Sequence, residues 1–341
     1  MRNFHGNTAN DVWLKIVKTL DSPSCSETVG SRLGNMHELL HAGLTIDHPR
    51  QRWIPSRIPA INPAFALAEI VWIVNGSNDA KVINYWNPAL PKFAGNSEKY
   101  HGAYGFRLRN HFNIDQLEKA YYSLQNNGIS RQVVLQIWDS KNDMPDLNGK
   151  PVSEDIPCNL SSLLKIRNDK LEWMQINRSN DIYRGLPYNI VQFTTLQELI
   201  AGWLGIEVGT YNHLSDSLHL YINDIKELGY IENKNNNSNT DKLTLTYEET
   251  NIYFEVLFRK MKYIVNNDIN ETSLYKIYNE FFNVEALDNM FYIIGADAAR
   301  RKDYHELASE LAARCTNPIL NELWLNWTNR QNAKIREYNF I

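Results

Sequence analysis

The sequence predicts a chain that carries both helices and strands, with its last hundred or so residues all-helical. Three observations predict it. Apolar residues recur at helix spacing early on (Val12, Ile16, Val17 and Leu20). β-Branched, turn-bounded runs occupy the middle, and helical periodicity returns beyond Thr246.

The elements follow in order. A strongly apolar segment from Phe65 to Val74 ends at Asn75-Gly76, a helix-stop signal. Residues 132–138 (Gln-Val-Val-Leu-Gln-Ile-Trp) read as a strand. The polar, Pro- and Gly-bearing stretch from Asp139 to Asp155 reads as a loop. Asn159–Ile166 and Leu171–Ile176 flank Asn168-Asp169, which makes a hairpin. Tyr188 to Leu204 is helical until Gly205 and Gly209 break it, and residues 232–240 form an asparagine-rich loop. Thr246 and Glu249 have capping-box spacing, followed by one apolar face through Phe254, Leu257, Phe258, Met261, Ile264 and Val265. Further helical patterns cover Leu287–Ile294 and Tyr304–Leu311.

Composition excludes several classes. With 43% hydrophobic residues the chain can bury a substantial core, so global disorder is excluded. A net charge of -4 argues against a sequence-wide polyanion binder while leaving room for a local phosphate pocket. The three cysteines, Cys25, Cys158 and Cys315, are too few and too scattered for a disulfide framework or a zinc knuckle. The N-terminal residues lack the apolar core of a signal peptide, and no stretch has the apolar length of a membrane span. A soluble, cytoplasmic protein is expected, with no nucleic-acid, membrane or metal partner.

The chemistry gathers around Pro157-Cys158-Asn159. A lone cysteine is more often buried filler than a nucleophile, and a reactive one needs its thiolate stabilised. Arg178, just beyond the second hairpin strand, is placed to supply that field. Arg178-Ser179 offers a guanidinium fork and a hydroxyl to a phosphate, although the same residues also suit a solvated turn. Asn189 carries a donor and an acceptor side by side, which suits the imide edge of uracil.

Taken together, Cys158, Arg178-Ser179-x-Asp181, Gly185-Leu186-Pro187-x-Asn189 and His219-x-Tyr221-x-Asn223 resemble the signature block of thymidylate synthases. The resemblance extends upstream. The stretch from Ala68 to Asn78 is similar to the family's helix carrying its catalytic glutamate, here Glu69. Tyr104-Gly105 with Arg107 or Arg109 is similar to its Tyr-Gly segment. Ser130-Arg131 is similar to the segment that reaches the partner subunit's phosphate site, and Arg32-Leu33-Gly34 is a looser match to the phosphate loop.

The resemblance implies an α+β fold: a large mixed β-sheet backed by helices, dimerising through sheet faces, with an appended helical C-terminal region. It divides the chain into a catalytic domain (1–231), an asparagine-rich loop and connector (232–245) and a helical extension (246–341). It implies that Cys158 adds to carbon 6 of a pyrimidine nucleoside monophosphate while 5,10-methylenetetrahydrofolate serves as co-substrate. Glu69 and Tyr104 then handle protons, Asn189 reads the base, and Arg32, Arg178, Ser179 and the other subunit's Arg131 hold the phosphate. His219 and Tyr221 bind the sugar. Asp181 orients the pterin, with Gly185 on the cofactor side and Trp86 packed beside the reacting centre. A phosphate site shared across subunits implies a homodimer.

Five departures accompany the resemblance, one of them the absence of a second tryptophan just after Trp86. Asn159 stands where the family has histidine, Gln132 replaces a second arginine, Ser217 takes the slot of an aspartate, and the tail is helical. Methylation of dUMP to dTMP is the first expectation. A pyrimidine nucleotide 5-hydroxymethylase is the second, and a catalytically inactive nucleotide-binding homologue the third.

Overall fold

The structure is a computed structural model, and it describes residues 1–20, 27–31, 34–232 and 237–338. Arg32, expected at the phosphate, and part of the asparagine-rich loop lie outside the described residues.

The N-terminal half contributes β1 (Arg2–Gly6), α1 (Ala9–Leu20), β2 (Glu27–Ser31), β3 (Gly34–Ile46) and β4 (Arg57–Ile58). Next come α2 (Pro63–Val74), α3 (Ala80–Trp86), α4 (Pro91–Ala94), α5 (Tyr104–Phe106) with a π-turn over Arg107–His111, and α6 (Gln116–Asn126). The middle holds β5 (Val134–Gln136), α7 (Ser140–Asp143), β6 (Asn159–Arg167), β7 (Lys170–Asp181), α8 (Leu186–Leu204), β8 (Glu207–Tyr221), α9 (Ile222–Ile225) and β9 (Gly229–Tyr230). The last part runs through α10 (Tyr247–Asn266), α11 (Glu271–Tyr278), α12 (Glu285–Arg301), α13 (His305–Arg314) and α14 (Pro318–Tyr338).

Seven strands form the main sheet in the order β1-β3-β8-β7-β6-β5, with β2 paired to β3. The β1–β3 and β7–β8 pairs are parallel and the rest antiparallel, so the expected mixed sheet is present. The β6–β7 hairpin turns at Asn168 and Asp169, whose φ values of 50° and 54° are the left-handed pair that a type I′ turn requires. Beyond that hairpin β7 runs on to Asp181. The Arg-Ser-x-Asp residues are therefore held by ladder hydrogen bonds against β8 and not by a loose turn.

Helix α2 begins at Pro63, with the Asn62 side chain accepting from the Phe65 N–H at 3.2 Å. All its residues are buried except Glu69. A helix apolar all round belongs in the interior, so its single carboxylate is there by placement and opens on the cavity described below. Helix α8 starts at the expected Gly-Leu-Pro and stops at Gly205 in the left-handed conformation.

The capping box at Thr246 and Glu249 is made in both directions, at 3.1 and 2.8 Å. From that start α10 packs onto the body: Trp203 Nε1 donates to Thr250 Oγ1 at 2.8 Å and Asn75 Nδ2 to the Phe254 carbonyl at 2.8 Å. The Tyr247 ring stacks on Tyr121 with centroids 5.3 Å apart. Helix α12 lies on α2, and Arg301 Nη2 reaches the Trp86 carbonyl at 2.7 Å. Residues on both sides of the 232–245 connector thus contribute to one buried cluster. None of the helices among the described residues is long and apolar enough to cross a membrane.

Candidate active site

A cavity of about 850 Å³ opens where the ends of β6, β7 and β8 meet α2 and α8. Cys158 lies on its wall, one residue before β6. Arg178, on the adjacent strand, closes around that residue: its N–H bonds the Cys158 carbonyl at 2.9 Å, Nε the Pro157 carbonyl at 3.0 Å and Nη2 the Ile156 carbonyl at 3.1 Å. The same Nη2 lies 3.9 Å from Sγ. Burial pushes the Cys158 thiol up, the Arg178 charge opposes this, and the Asp155 and Asp181 carboxylates reinforce it. The resting group is therefore a thiol with a cation beside it, which stabilises a thiolate once one forms.

Glu69 faces the cavity from α2. It accepts from Gln192 Nε2 at 2.6 Å, and burial raises its carboxyl to about 7. A carboxyl poised there can take and return protons at neutral pH. Tyr104 joins it, its phenol raised chiefly by burial and hydrogen-bonded by Asn159. The following Gly105 is needed for contact, since a Cβ there would lie 2.3 Å from the Ile73 carbonyl oxygen of α2.

Asp181 and His219 are register partners across β7 and β8. The Asp181 side chain accepts from the Tyr183 and Arg184 N–H groups at 2.7 and 3.1 Å. Burial raises its carboxyl, and His219 and these N–H groups hold it down. Burial lowers the His219 imidazole while Asp181 opposes it, so the ring is a neutral donor and acceptor. The Tyr221 ring meets His219 edge-on at 5.2 Å.

The structure thus brings ten expected residues to one cavity: Cys158, Glu69, Tyr104, Asn189, Asp181, Arg178, Ser179, His219, Tyr221 and Gly185. Two are elsewhere. Trp86 is fully buried at the end of α3, its ring edge-on to Tyr85, and its indole does not reach the cavity wall. Arg131 is exposed before β5 and does not line the cavity either.

Several lining residues carried no motif signal. Gln192 follows Asn189 by three positions, so it lies on the same face of α8; that spacing was the available clue. Asp155 lines the wall and is held by the Gly102 N–H at 2.7 Å, with burial raising its carboxyl. Arg57, Asn180 and Trp138 complete that part of the wall. Arg57 also borders a second cavity of about 600 Å³, together with Asn326 and Arg330 of α14. Among the described residues, none beyond Tyr221 lines the first cavity.

A thiol, a guanidinium, a carboxyl raised to about 7 and an amide thus share one cavity at the end of a mixed sheet. The chain belongs to the thymidylate synthase family, whose model, described as thymidylate synthase, matches residues 60–271. It is 31% identical over 235 residues to the deoxyuridylate hydroxymethyltransferase of Bacillus phage SP01, covering 66% of this chain and 60% of that protein. It is 37% identical over 162 residues to the deoxyuridylate hydroxymethyltransferase of Pseudomonas phage M6, covering 47% and 45%. The thymidylate synthase of Clostridium beijerinckii is 27% identical over 191 residues, covering 55% and 69%. The matched region thus spans 60% and 45% of the length of the two phage relatives.

Proposed function

We propose that the protein is a one-carbon transferase acting on carbon 5 of dUMP. One observation carries the reading: the Cys158 thiol, the Arg178 guanidinium, the Glu69 carboxyl and the Asn189 amide face a single cavity.

Cys158 forms a bond to carbon 6 of the base, which makes carbon 5 nucleophilic. Arg178 stabilises the thiolate and, with Ser179, binds the phosphate; Asn189 pairs with the imide edge; His219 and Tyr221 hold the sugar. Glu69 and Tyr104 exchange protons at the base. Methylenetetrahydrofolate supplies the one-carbon unit when bound. The residues fit it: Asp181 offers a carboxylate to a donor-bearing pterin, beside the apolar side chains of Ile83, Leu90 and Phe93.

Methyl and hydroxymethyl products both fit this site. The hydroxymethyl product has added support from the two phage relatives, named for that reaction. It also agrees with tail helices that, among the described residues, leave the cavity wall to earlier parts of the chain. A homodimer is part of the reading. Val134, Leu163 and Met174 form one cross-strand row on the sheet face away from α8, and Val134 and Met174 are exposed there. Arg131 is exposed three residues before that row begins at Val134.

The test is product mass after incubation with methylenetetrahydrofolate and dUMP. A gain of CH₂O with release of tetrahydrofolate establishes the hydroxymethylase. A gain of CH₂ with release of dihydrofolate establishes the synthase. No adduct and no product with the unmodified wild type, in conditions where a parallel sample shows Cys158 reacting with iodoacetamide, overturns the proposal.

A further inference from the structure

A carboxamide has nearly the same shape after a half-turn but opposite chemistry at its two ends. Asn189 can therefore pair with uracil in one rotation and with cytosine in the other, and it selects a base only if its rotation is fixed.

Its neighbours fix it. Asn189 Oδ1 accepts from Asn159 Nδ2 at 3.4 Å, and Asn189 Nδ2 donates to Asn180 Oδ1 at 3.3 Å. Both partners are amides, so the three could in principle turn together. On one side the run continues: Gln175 Nε2 donates to Asn159 Oδ1 at 2.9 Å, and Gln175 Oε1 accepts from Ser162 Oγ at 2.6 Å and from Trp173 Nε1 at 3.2 Å. On the other side Asn180 Nδ2 meets His213 Nε2 at 3.0 Å and Ser215 Oγ at 3.2 Å, and His213 Nδ1 meets the Tyr211 hydroxyl at 3.0 Å.

The two ends are not equivalent. Hydroxyls both donate and accept, and a neutral imidazole can exchange tautomers, so the His213 end accommodates either direction. An indole N–H only donates. It obliges Gln175 to present oxygen, and the direction of each later bond in the run follows from that. Trp173, Gln175, Asn159, Asn180 and His213 are all buried, so water offers no alternative partner. A strand face that ordinarily buries aliphatic groups here buries Gln175, Asn159, Asn180 and His213, which is costly unless each is paired.

We propose that the Trp173 indole N–H is a positioning group for base selection: acting through Gln175 and Asn159, it holds the Asn189 amide in the rotation that matches uracil and mismatches cytosine. This rests on the reading above, in which Asn189 reads the base.

The experiment measures kcat/KM for dUMP and dCMP with methylenetetrahydrofolate, together with thermal melting and the rate of Cys158 alkylation. Trp173→Phe removes the donor. Replacing the Trp173 indole by benzothiophene removes it while keeping the ring volume, which covers the case where the phenylalanine variant fails to fold. The dUMP-to-dCMP ratio is expected to fall at least tenfold, with the alkylation rate of the folded variant unchanged. A purely structural role would lower both substrates alike and leave the ratio intact, and that result overturns the inference. Asn189→Asp separates the two levels. If it moves preference toward dCMP while the Trp173 variants do not, only the inference fails. If it leaves preference untouched, Asn189 is not the reader and the underlying reading fails.

Discussion

Gln192 donates its amide to the Glu69 carboxylate across 2.6 Å, joining α8 to the single polar residue of α2. The bond favours the ionised form and so works against the burial that raises the carboxyl to about 7. Gln192→Leu is therefore expected to move this ionisation to higher pH, by about one to two pH units for one hydrogen bond to a charged group. The check is the pH profile of kcat/KM for the wild type and the variant. A profile that keeps its position shows that Glu69 is not the titrating group.

The same carboxyl has a consequence for stability. Its folded-state value lies above the ordinary 4.5, so between pH 4.5 and about 7 the folded protein retains a proton that the unfolded chain has released. Stability from this group is fully present below pH 4.5 and declines as pH rises toward 7. Glu69→Gln has no such proton to lose. Relative to the wild type it is expected to gain up to about 3 kcal/mol on going from pH 5 to pH 8. Urea unfolding of both proteins at the two pH values tests the sign and the size.

Cys158 is expected to behave as a shielded thiol until substrate arrives. Burial and the Asp155 and Asp181 carboxylates raise it, and Arg178 lowers it. Alkylation by iodoacetamide is predicted to titrate above the ordinary value of 9.0. Arg178→Leu should shift that titration further up and Asp155→Asn down. No shift in either variant, or a shift of the reverse sign in both, would mean that neither charge acts on the thiol.

The parts of this site legible in the sequence were those carried by residue type and order. Cys158, Arg178-Ser179, Asp181 and Asn189 form contiguous or nearly contiguous motifs, and the β6–β7 turn announced itself through Asn168-Asp169. The long strands β3 and β8 did not. The inward positions of β8 include Gly209, His213 and Ser215, so the alternation of apolar and polar residues that marks a half-buried strand is diluted where that strand builds the site. The same polarity hid Asn180 and Gln175. Trp86, expected beside the reacting centre, is fully buried at the end of α3, and Arg301 of α12 donates to its backbone carbonyl. The tail helices were legible from their periodicity and capping box. Their docking at the end of α2 was not, because contacts such as Asn75 with Phe254 join residues far apart in the chain.

Buried charge provides a prediction outside the site. Glu198 of α8 is paired with Arg52 and, at 2.8 Å, with Arg50, and it accepts from the Leu243 N–H at 3.1 Å. It thereby ties the β3–β4 connection, the central helix and the connector to the helical tail. Arg52→Met leaves a buried carboxylate with one partner fewer, and removing one member of a buried pair costs about 3–5 kcal/mol. Arg50→Met, at a more exposed position, should cost clearly less. Equal losses in urea unfolding would show that the pair carries no special weight.

Gly102 offers a way to disturb the nucleophile through the segment that precedes it. Its N–H holds Asp155 Oδ2 at 2.7 Å, and a Cβ at this position would lie 3.0 Å from both the Asp155 carbonyl oxygen and Oδ1 and 3.1 Å from the Pro157 nitrogen. These contacts are tight, and two of the three atoms are backbone, so relief requires the Asp155–Pro157 segment to move away. Cys158 is the next residue, and Arg178 grips the Ile156 and Pro157 carbonyls of the same segment. Gly102→Ala is thus predicted to shift the thiol by a few tenths of an ångström and to lower kcat by about tenfold or more, since small misplacements of a reacting group are costly. The fold should be little affected, because Gly102 has no left-handed backbone to protect. Loss of kcat with an unchanged melting temperature supports this coupling. A drop in melting temperature with normal kcat per folded molecule would show that the segment can yield without moving Cys158.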